Sequence, residues 1–306
     1  NFTLNAGTRA SYWTLNDEFL LSPRINLAYI PLWEKDVVIR ASSGIYYQTP
    51  FYKEIRDLEG NLNYDIEAQK STHFVIGSDY LFYSWGRPFK FISEIYYKDL
   101  QNLIPYKVEN VRIKYLAENS SNGFAAGIDL KINGEFVPGV ESWASLSVMK
   151  TMEDIEGDFY IDEETGETIY PGFIPRPTDQ RINFSMFFQD YLPGKPNYKM
   201  HLSMVYGTGL PFGPPNSDKY QDILKMPDYR RVDIGFSAVL KSQNKKSKIS
   251  FLNKLNNLWI TTEVFNLLDI DNTVSYLWVA DVSGRQYAVP NYLTPRQLNF
   301  KLIIGI

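Results

Sequence analysis

Apolar and polar residues alternate with a period of two along most of this chain of 306 residues. In the stretch RINFSMFFQD, apolar side chains occupy positions Ile182, Phe184, Met186 and Phe188, while most positions between them are polar. A period of two is typical of a β-strand with one apolar face and one mixed face. The pattern recurs in twelve places, each close to the length of a tilted membrane strand. It predicts strand cores at residues 2–13, 23–32, 37–48, 72–83, 89–99, 123–132, 142–151, 181–191, 199–208, 230–240, 257–267 and 295–306.

The links between these predicted strands alternate between short and long. Those after strands two, four, six and eight are WEKD, SWGRP, NGEFVPG and PGKPN, and only the link after strand ten, KSQNKKSKISFLNKLNN, is longer. The links after strands three, five, seven, nine and eleven each exceed twenty residues, and the first link, TLNDEFLLS, is the one exception. Short periplasmic turns and long extracellular loops are typical of outer-membrane barrels, whereas a soluble sandwich gives no reason for the alternation. We therefore predict an all-β fold, an antiparallel meander transmembrane β-barrel of about twelve strands, closed because lipid cannot satisfy a free strand edge.

Composition is consistent with strands and excludes several kinds of site. Hydrophobic residues make up 44% of the chain and aromatic residues 15%, and no window is apolar enough for a transmembrane helix. The net charge is −4 without a long basic stripe, which argues against a nucleic-acid partner. Cysteine is absent, so the chain can form no disulfide, thiolate zinc site or cysteine nucleophile. The first residues, NFTLNAGTRASYW, lack the pattern of a signal peptide, so we expect a mature chain or one that begins inside a longer protein.

Several segments resemble the C-terminal half of TonB-dependent outer-membrane receptors, nearest to the branch that carries a carboxypeptidase-like regulatory domain before the plug. The segments follow in the family's order and span nearly the whole chain: SPRINLAYIP, IRASSGIYYQTPFYKEI, SEIYYKDLQNLIPY, YGTGLPFGPPN, DYRRVDIGFS, EVFNLLDIDNTVSYLWV and YAVPNYLTPRQLNFKLIIGI. Family barrels have 22 strands behind a plug, so the resemblance implies that residues 1–306 are strands eleven to twenty-two, without the plug, the TonB box and the first ten strands. The alternative is an independent twelve-stranded barrel, and the resemblance favours the first reading.

The resemblance also implies a function, a location and partners. It implies a receptor in the outer membrane of a Gram-negative bacterium, with a periplasmic C-terminus, that captures a siderophore, vitamin, glycan or peptide for TonB-driven uptake. The expected partners are outer-membrane lipid, TonB through the missing plug, the barrel-assembly machinery and, in some relatives, a surface lipoprotein. We expect no cofactor and no enzyme activity. The alternative function is a passive or structural barrel within a larger envelope complex.

Two groups of candidate functional residues follow from their positions. The fifth long link contains aromatic and basic side chains that suit the capture of a ligand, although the same aromatic residues could pack the loops together. They are Tyr276, Trp278, Arg285 and Tyr287. The last strand presents one apolar face that suits barrel closure and recognition by the assembly machinery. Its residues are Leu298, Phe300, Leu302, Ile304 and Ile306.

Three further features each allow a functional and a structural interpretation. The only histidines, His73 and His201, lie at polar-face positions, where we expect lumen-lining side chains rather than metal ligands or a general base. Within the acidic stretch EDIEGDFYIDEETGETIY, the part that continues as DFYIDEETGETIYPG predicts a projecting β-hairpin that turns at Gly166 and exposes its acids to water, rather than a calcium site. The same signal predicts hairpin turns at Gly60 and Gly284. The lysines of the link after strand ten, at positions 241, 245, 246, 248 and 254, are expected in a solvated periplasmic turn rather than a lipid or nucleic-acid site.

Overall fold

Twelve antiparallel strands form one continuous sheet in the computed structural model, which describes residues 1–109, 112–162, 164–213, 224–242 and 255–305. Each strand pairs with the strands before and after it in the chain, so the prediction of a twelve-stranded meander is confirmed. The strands are β1 (Phe2–Trp13), β2 (Glu18–Tyr29), β3 (Asp36–Gln48), β4 (Gln69–Ser84), β5 (Arg87–Leu103), β6 (Ser121–Val137), β7 (Val140–Ile155), β8 (Ile182–Leu192), β9 (Lys195–Gly207), β10 (Tyr229–Lys241), β11 (Asn257–Phe265) and β12 (Gln297–Gly305). None of the described residues forms a helix with the length and hydropathy that a membrane span requires.

Five long connections lie at one end of the sheet and tight turns at the other. The four-residue link after β1 is on the long side, and the link of residues 242–256 after β10 is on the side of the tight turns. We call the two ends the long-loop end and the short-turn end. The long loops contain small hairpins at 106–109 with 112–115, 160–161 with 168–169, 211–212 with 224–225, and 273–280 with 286–292. At the short-turn end, Trp85 and Gly86 join β4 to β5 with φ angles of 52° and 71°. Positive φ at both turn residues is the type I′ geometry, whose twist matches that of the paired strands.

One face of the sheet is apolar and unusually exposed. Ile76, Ile95, Ile128, Val148 and Ile182 are in register across five neighbouring strands, and each side chain is between 37% and 64% exposed. A soluble protein rarely exposes so continuous an apolar surface. The opposite face is polar and charged, as the period-two pattern predicts.

The fully buried apolar residues are few and are concentrated beneath the long loops. Ile55 and Ile66 of the loop after β3 pack against Ile104, which follows β5, and we call these three residues the loop core. The main body of the sheet therefore has two exposed or half-exposed faces, and most of the buried apolar packing lies between the long loops and the end of the sheet that carries them.

Two predicted links are shorter than expected because the strands continue through them. The expected turn NGEFVPG is reduced to residues 138–139, since β6 continues to Val137 and β7 starts at Val140. Phe136 packs edge-on against Phe89 with ring centroids 4.9 Å apart, and Arg87 donates to the carbonyls of Glu135 and Phe136, which holds the extension in place.

The first link is likewise reduced to residues 14–17, because β2 begins at Glu18 rather than near residue 23. A proline inside a strand is tolerated where it costs no ladder hydrogen bond. Pro23 lies opposite Thr8 of β1, and the ladder with β3 begins only at Arg24. The proline therefore occupies a part of β2 that has a neighbour on one side only.

Candidate functional site

The first two long loops are fixed to each other by hydrogen bonds around the loop core. The Asn119 side chain accepts from the backbone N–H of Glu67 at 2.7 Å and donates to the Glu67 carbonyl at 3.0 Å. The Asn63 amide donates to the carbonyl of Ala117 at 2.8 Å, and Asn16, in the link after β1, donates to the Ile66 carbonyl at 2.9 Å. Side-chain bonds to otherwise unpaired backbone groups give these loops a defined conformation.

A groove of about 760 Å³ lies between the same two loops. Its volume falls within the usual range for small-molecule sites, roughly 300 to 1,000 Å³. We call it the basic groove, because four cations line it beside one carboxylate, two tyrosines and two aliphatic residues. The lining residues are Tyr52, Lys53, Arg56, Asp57, Leu58, Arg112, Ile113, Lys114 and Tyr115.

The one carboxylate of the groove is engaged within its own turn. Asp57 accepts from the backbone N–H of Asn61 at 2.7 Å and from its side-chain amide at 3.0 Å. Partial desolvation raises the pKa of Asp57, but the bonds from Asn61 and from the backbone of Gly60 and Glu59 outweigh it, so the pKa lies below its usual range. Gly60, where the sequence predicts a hairpin turn, has a φ of 96°, and an isolated antiparallel bridge joins Arg56 to Leu62.

The predicted ligand residues of the fifth long loop fall into two pairs. Tyr276 and Trp278 lie on one face of the 273–292 hairpin and meet Phe212 of the fourth loop. The Phe212 and Tyr276 rings are stacked with centroids 4.5 Å apart, and Trp278 lies 6.4 Å from Phe212. These three rings line a small cavity of about 90 Å³ together with Val108 and Pro177 of the second and third loops. Four loops therefore meet at this aromatic contact, which leaves little free volume.

Tyr287 and Arg285 lie apart from that contact. Tyr287 is directly opposite Val279 in the hairpin, which puts it on the other face from Trp278. Arg285 is exposed in the turn, where Gly284 has a φ of 83° as the hairpin prediction requires.

The turn that carries Arg285 is organised by one carboxylate. Asp281 accepts from the backbone N–H of Ser283 at 2.8 Å, from its hydroxyl at 2.6 Å and from the backbone N–H of Arg285 at 3.0 Å. The Ser283 side chain makes the largest contribution to holding the pKa of Asp281 below its usual range. The turn therefore depends on an ionised carboxylate.

His201 belongs to a polar row that crosses four strands. His201 of β9, Gly235 of β10, Glu263 of β11 and Asn299 of β12 are in register. Nε2 of His201 lies 3.5 Å from Oε1 of Glu263, and the Asn299 amide donates to Oε2 of Glu263 at 2.8 Å. Glycine is required between them, because a Cβ at Gly235 would lie 2.1 Å from Cε1 of His201. The imidazole is thus part of a polar wall.

His73 stacks on Tyr46 with ring centroids 4.3 Å apart, and the Arg24 guanidinium lies 4.4 Å from the centre of the same tyrosine ring. Both histidines therefore lie on the polar face, as the sequence predicts. Within the described ranges, no three His, Asp or Glu side chains are grouped as metal ligands would be.

Charges on the polar face of β3 to β5 compensate one another. The Arg40 guanidinium lies 2.6 Å from Oδ1 of Asp79 and 3.1 Å from Oε1 of Glu94, and Lys90 lies 2.8 Å from Oδ2 of Asp79. A charged wall of this kind suits contact with water or with another polar protein surface rather than with lipid.

The acidic stretch of the third loop is partly as predicted. Tyr160 pairs with Ile169 across a turn in which Gly166 has a φ of 71°, so the hairpin is confirmed. Glu153, which precedes that hairpin in the acidic stretch, is fully buried. The two-residue strand Ile174–Pro175 pairs with residues 152–153 of β7 and is followed by Arg176, which lies beside this carboxylate. Glu163 lies outside the described residues.

Two buried carboxylates in this region have arginine partners. Nε of Arg176 lies 3.4 Å from Glu153, and Nε of Arg181 lies 2.7 Å from Asp179, which also accepts the backbone N–H of Thr151 at 2.9 Å. Removal of one partner from a buried pair is strongly destabilising. These acids therefore anchor the third loop to β7.

The last strand has the predicted faces. Leu298, Phe300, Leu302 and Ile304 share the apolar face of β12 and are between 52% and 66% exposed, while Ile306 lies outside the described residues. Among those residues β12 pairs with β11 alone and β1 with β2 alone. Closure by β12 stays a prediction.

Only one lysine of the link after β10 can be placed. Lys241 is buried, and its ammonium donates to the Ser242 carbonyl at 2.9 Å, so it is not in the solvated turn that the sequence predicts. A bulge in the pairing of β10 with β11 at this residue turns it inward. Positions 245, 246, 248 and 254 lie outside the described residues.

Solved outer-membrane receptors share this architecture, although the chain matches no protein-family model and no curated protein sequence. The outer-membrane transporter YddB from Escherichia coli is 14% identical with a TM-score of 0.66, and the match covers 99% of this chain and 42% of YddB. The ferric-catecholate import receptor Fiu from E. coli is 15% identical with a TM-score of 0.60, over 94% of this chain and 35% of Fiu. A mutant of the ferric enterobactin receptor PfeA from Pseudomonas aeruginosa is 15% identical with a TM-score of 0.59, over 98% of this chain and 42% of PfeA.

The chain thus spans less than half the length of each of these three proteins. At such low identity the likeness establishes the fold, and it confirms at that level the resemblance carried by the sequence segments. These 306 residues have the fold of part of the β-barrel of TonB-dependent outer-membrane receptors.

Proposed function

We propose that this chain is the C-terminal barrel portion of an outer-membrane receptor that binds a scarce nutrient at extracellular loops for TonB-driven uptake. The observation that carries the proposal is the two-faced sheet, apolar on one side and mixed with many charges on the other, with five long loops at one end. An apolar face suits lipid, a polar face suits a plugged lumen, and long loops at one end suit capture from outside. The receptors that share the fold are named as transporters and import receptors, which supports the same function.

Orientation can be tested on the intact protein with single cysteines, since these 306 residues contain none. Val282 lies at the tip of the last long loop and Leu32 in the link between β2 and β3, and both side chains are exposed. A membrane-impermeant maleimide should label Val282→Cys in intact cells, and Leu32→Cys only after the outer membrane is permeabilised. The unsubstituted protein gives the background. The reverse labelling pattern would put the long loops on the periplasmic side and would contradict the proposed orientation.

Uptake is tested by growth of a strain that lacks the gene on defined iron, vitamin, glycan and peptide sources. We expect one source class to fail, and the same defect in a strain that lacks TonB. Normal growth on every class, together with loss of another envelope complex, would instead favour the passive or structural barrel.

A further inference from the structure

We propose that the basic groove binds a soluble organic ligand that carries at least two anionic groups, phosphate or carboxylate. This inference rests on the proposed function and narrows it, since it names the chemical class of the captured nutrient. The groove belongs to loops one and two, whereas the candidates named from sequence lie in the fifth loop.

Charge is the first support for an anionic ligand. Lys53, Arg56, Arg112 and Lys114 are all exposed around one cavity, and neither Lys53 nor Arg112 has a carboxylate partner among the described residues. Like charges gathered in a cleft raise the local concentration of anions. Lys53 and Arg112 therefore bring to the groove positive charge that no described carboxylate pairs with.

The single carboxylate among the described lining residues offsets only one of the four positive charges. Asp57 is held by the Asn61 backbone and side chain, so both of its oxygens already accept hydrogen bonds. Arg56, in turn, donates from Nε to the Gly60 carbonyl at 3.2 Å. That bond uses one of the five N–H donors of a guanidinium, and the others can form a fork on a carboxylate or phosphate.

The tyrosines and aliphatic residues support an organic ligand rather than a bare ion. Tyr52 and Tyr115 provide ring surface and hydroxyl donors, and Leu58 and Ile113 add apolar area to the walls. Burial, and then the charge of Glu54, raise the pKa of Tyr115 above its usual value, so its hydroxyl keeps the proton that it would donate. A cavity of about 760 Å³ has room for a ligand larger than an inorganic ion.

The groove is formed in advance of binding. Tyr115 packs against the loop core, and Ile55 of that core directly precedes Arg56. Both walls are thus attached to buried residues, and a site that is already ordered loses less conformational entropy when a ligand binds.

The test measures binding to the purified intact protein in detergent, freed of lipopolysaccharide. The probes are inositol hexakisphosphate and citrate, with myo-inositol as the neutral partner of the first. We expect the two anions to bind, myo-inositol not to bind, and the affinity to fall as the ionic strength rises above about 0.1 M, where the screening length is about 10 Å. Binding by neither anion, or equal binding of myo-inositol, would overturn the proposal.

Variants assign any binding to the groove. The double variant Lys53→Gln/Arg112→Gln should weaken binding of inositol hexakisphosphate at least ten-fold, whereas Lys225→Gln, an exposed lysine in another long loop, should leave it unchanged. Circular dichroism of both variants reports that the strands are intact. Unchanged affinity in the double variant would refute the assignment.

Two other outcomes separate this inference from its alternatives. If lipid A micelles bind through Lys53 and Arg112 while both soluble anions do not, the groove is a lipid headgroup site and the proposal of a soluble ligand is wrong. Because binding is measured without TonB, loss of binding with intact TonB-dependent growth refutes only the ligand class. Groove-dependent binding without any uptake defect supports the ligand class and refutes only the transport function.

Discussion

The two faces of β12 predict opposite outcomes for the same substitution at adjacent residues. Leu302 is 58% exposed on the apolar face, so its side chain makes few protein contacts and Leu302→Lys mainly transfers a charge into lipid. A lysine at the lipid face near the bilayer midplane costs about 2 to 4 kcal/mol, which is about a 30- to 700-fold change in the folded-to-unfolded ratio. Ile303 lies on the polar face opposite Trp259, and the native Lys301 shows that this face accepts an ammonium group. Ile303→Lys is therefore the matched control.

Both variants are compared in the intact protein by urea unfolding in lipid and by surface abundance in cells. We expect Leu302→Lys to lose about 2 to 4 kcal/mol of unfolding free energy and to be depleted from the outer membrane. Ile303→Lys should lose less than half as much. Equal losses in the two variants, a greater loss in Ile303→Lys, or normal surface levels of Leu302→Lys would refute the assignment of faces.

Three further variants probe the polar wall, the loop core and the last hairpin. Gly235→Ala puts a methyl group where the His201 ring lies and should cost about 1 to 3 kcal/mol by urea unfolding; an unchanged midpoint would mean that the ring can move freely. Ile104→Ala removes a side chain from the loop core, which costs about 2 to 5 kcal/mol in a well-packed site. The variant should therefore be cleaved faster by trypsin after Lys53. Equal cleavage rates in the variant and the unsubstituted protein would show that the loop is not anchored by Ile104. Hydrogen bonds within the last hairpin's turn keep the pKa of Asp281 below the ordinary 3.8. The stabilisation of the turn by these bonds is therefore complete above pH 3.8 and is lost as the pH falls through the lower pKa that Asp281 has in the folded protein. The rate of amide hydrogen exchange at residues 283–285 of the unsubstituted protein should therefore reach the rate of the Asp281→Ala variant only in acid. A difference between the two proteins that stays constant down to the lowest pH would contradict this prediction.

The strands could be predicted from sequence because their faces depend on neighbouring residues only. In a strand the side chains alternate whatever the rest of the protein does, so Ile182 and Phe184 share a face without knowledge of their partners. The ends of strands depend on more distant contacts. The β6–β7 turn is short where Phe136 packs on Phe89, some 47 positions earlier in the chain. β2 can extend back through Pro23 to Glu18, because this part of the strand pairs with β1 alone.

The loop sites could not be predicted in the same way, since their residues come from different loops. Phe212 meets Tyr276 and the basic groove joins Lys53 to Arg112 only because the strands bring the loops together. The sequence shows the basic residues of each loop but contains no local signal that pairs them. The pairing of Glu153 with Arg176 depends likewise on a two-residue strand that returns to β7 about twenty residues later.

The separation of the aromatic residues of the fifth loop onto two faces could have been predicted by the same period-two rule. The turn of DVSGRQ centres the hairpin between residues 281 and 285, and counting outwards pairs Val279 with Tyr287, as the structure does. Tyr287 must then face away from Tyr276 and Trp278, so a flat ligand cannot contact all three rings at once. Since Tyr276 and Trp278 already pack against Phe212 around a cavity of about 90 Å³, their aromatic area is used mainly between loops. The basic groove has about eight times that volume, and its Lys53 and Arg112 have no carboxylate partner among the described residues. It is therefore the better place to look for the captured ligand.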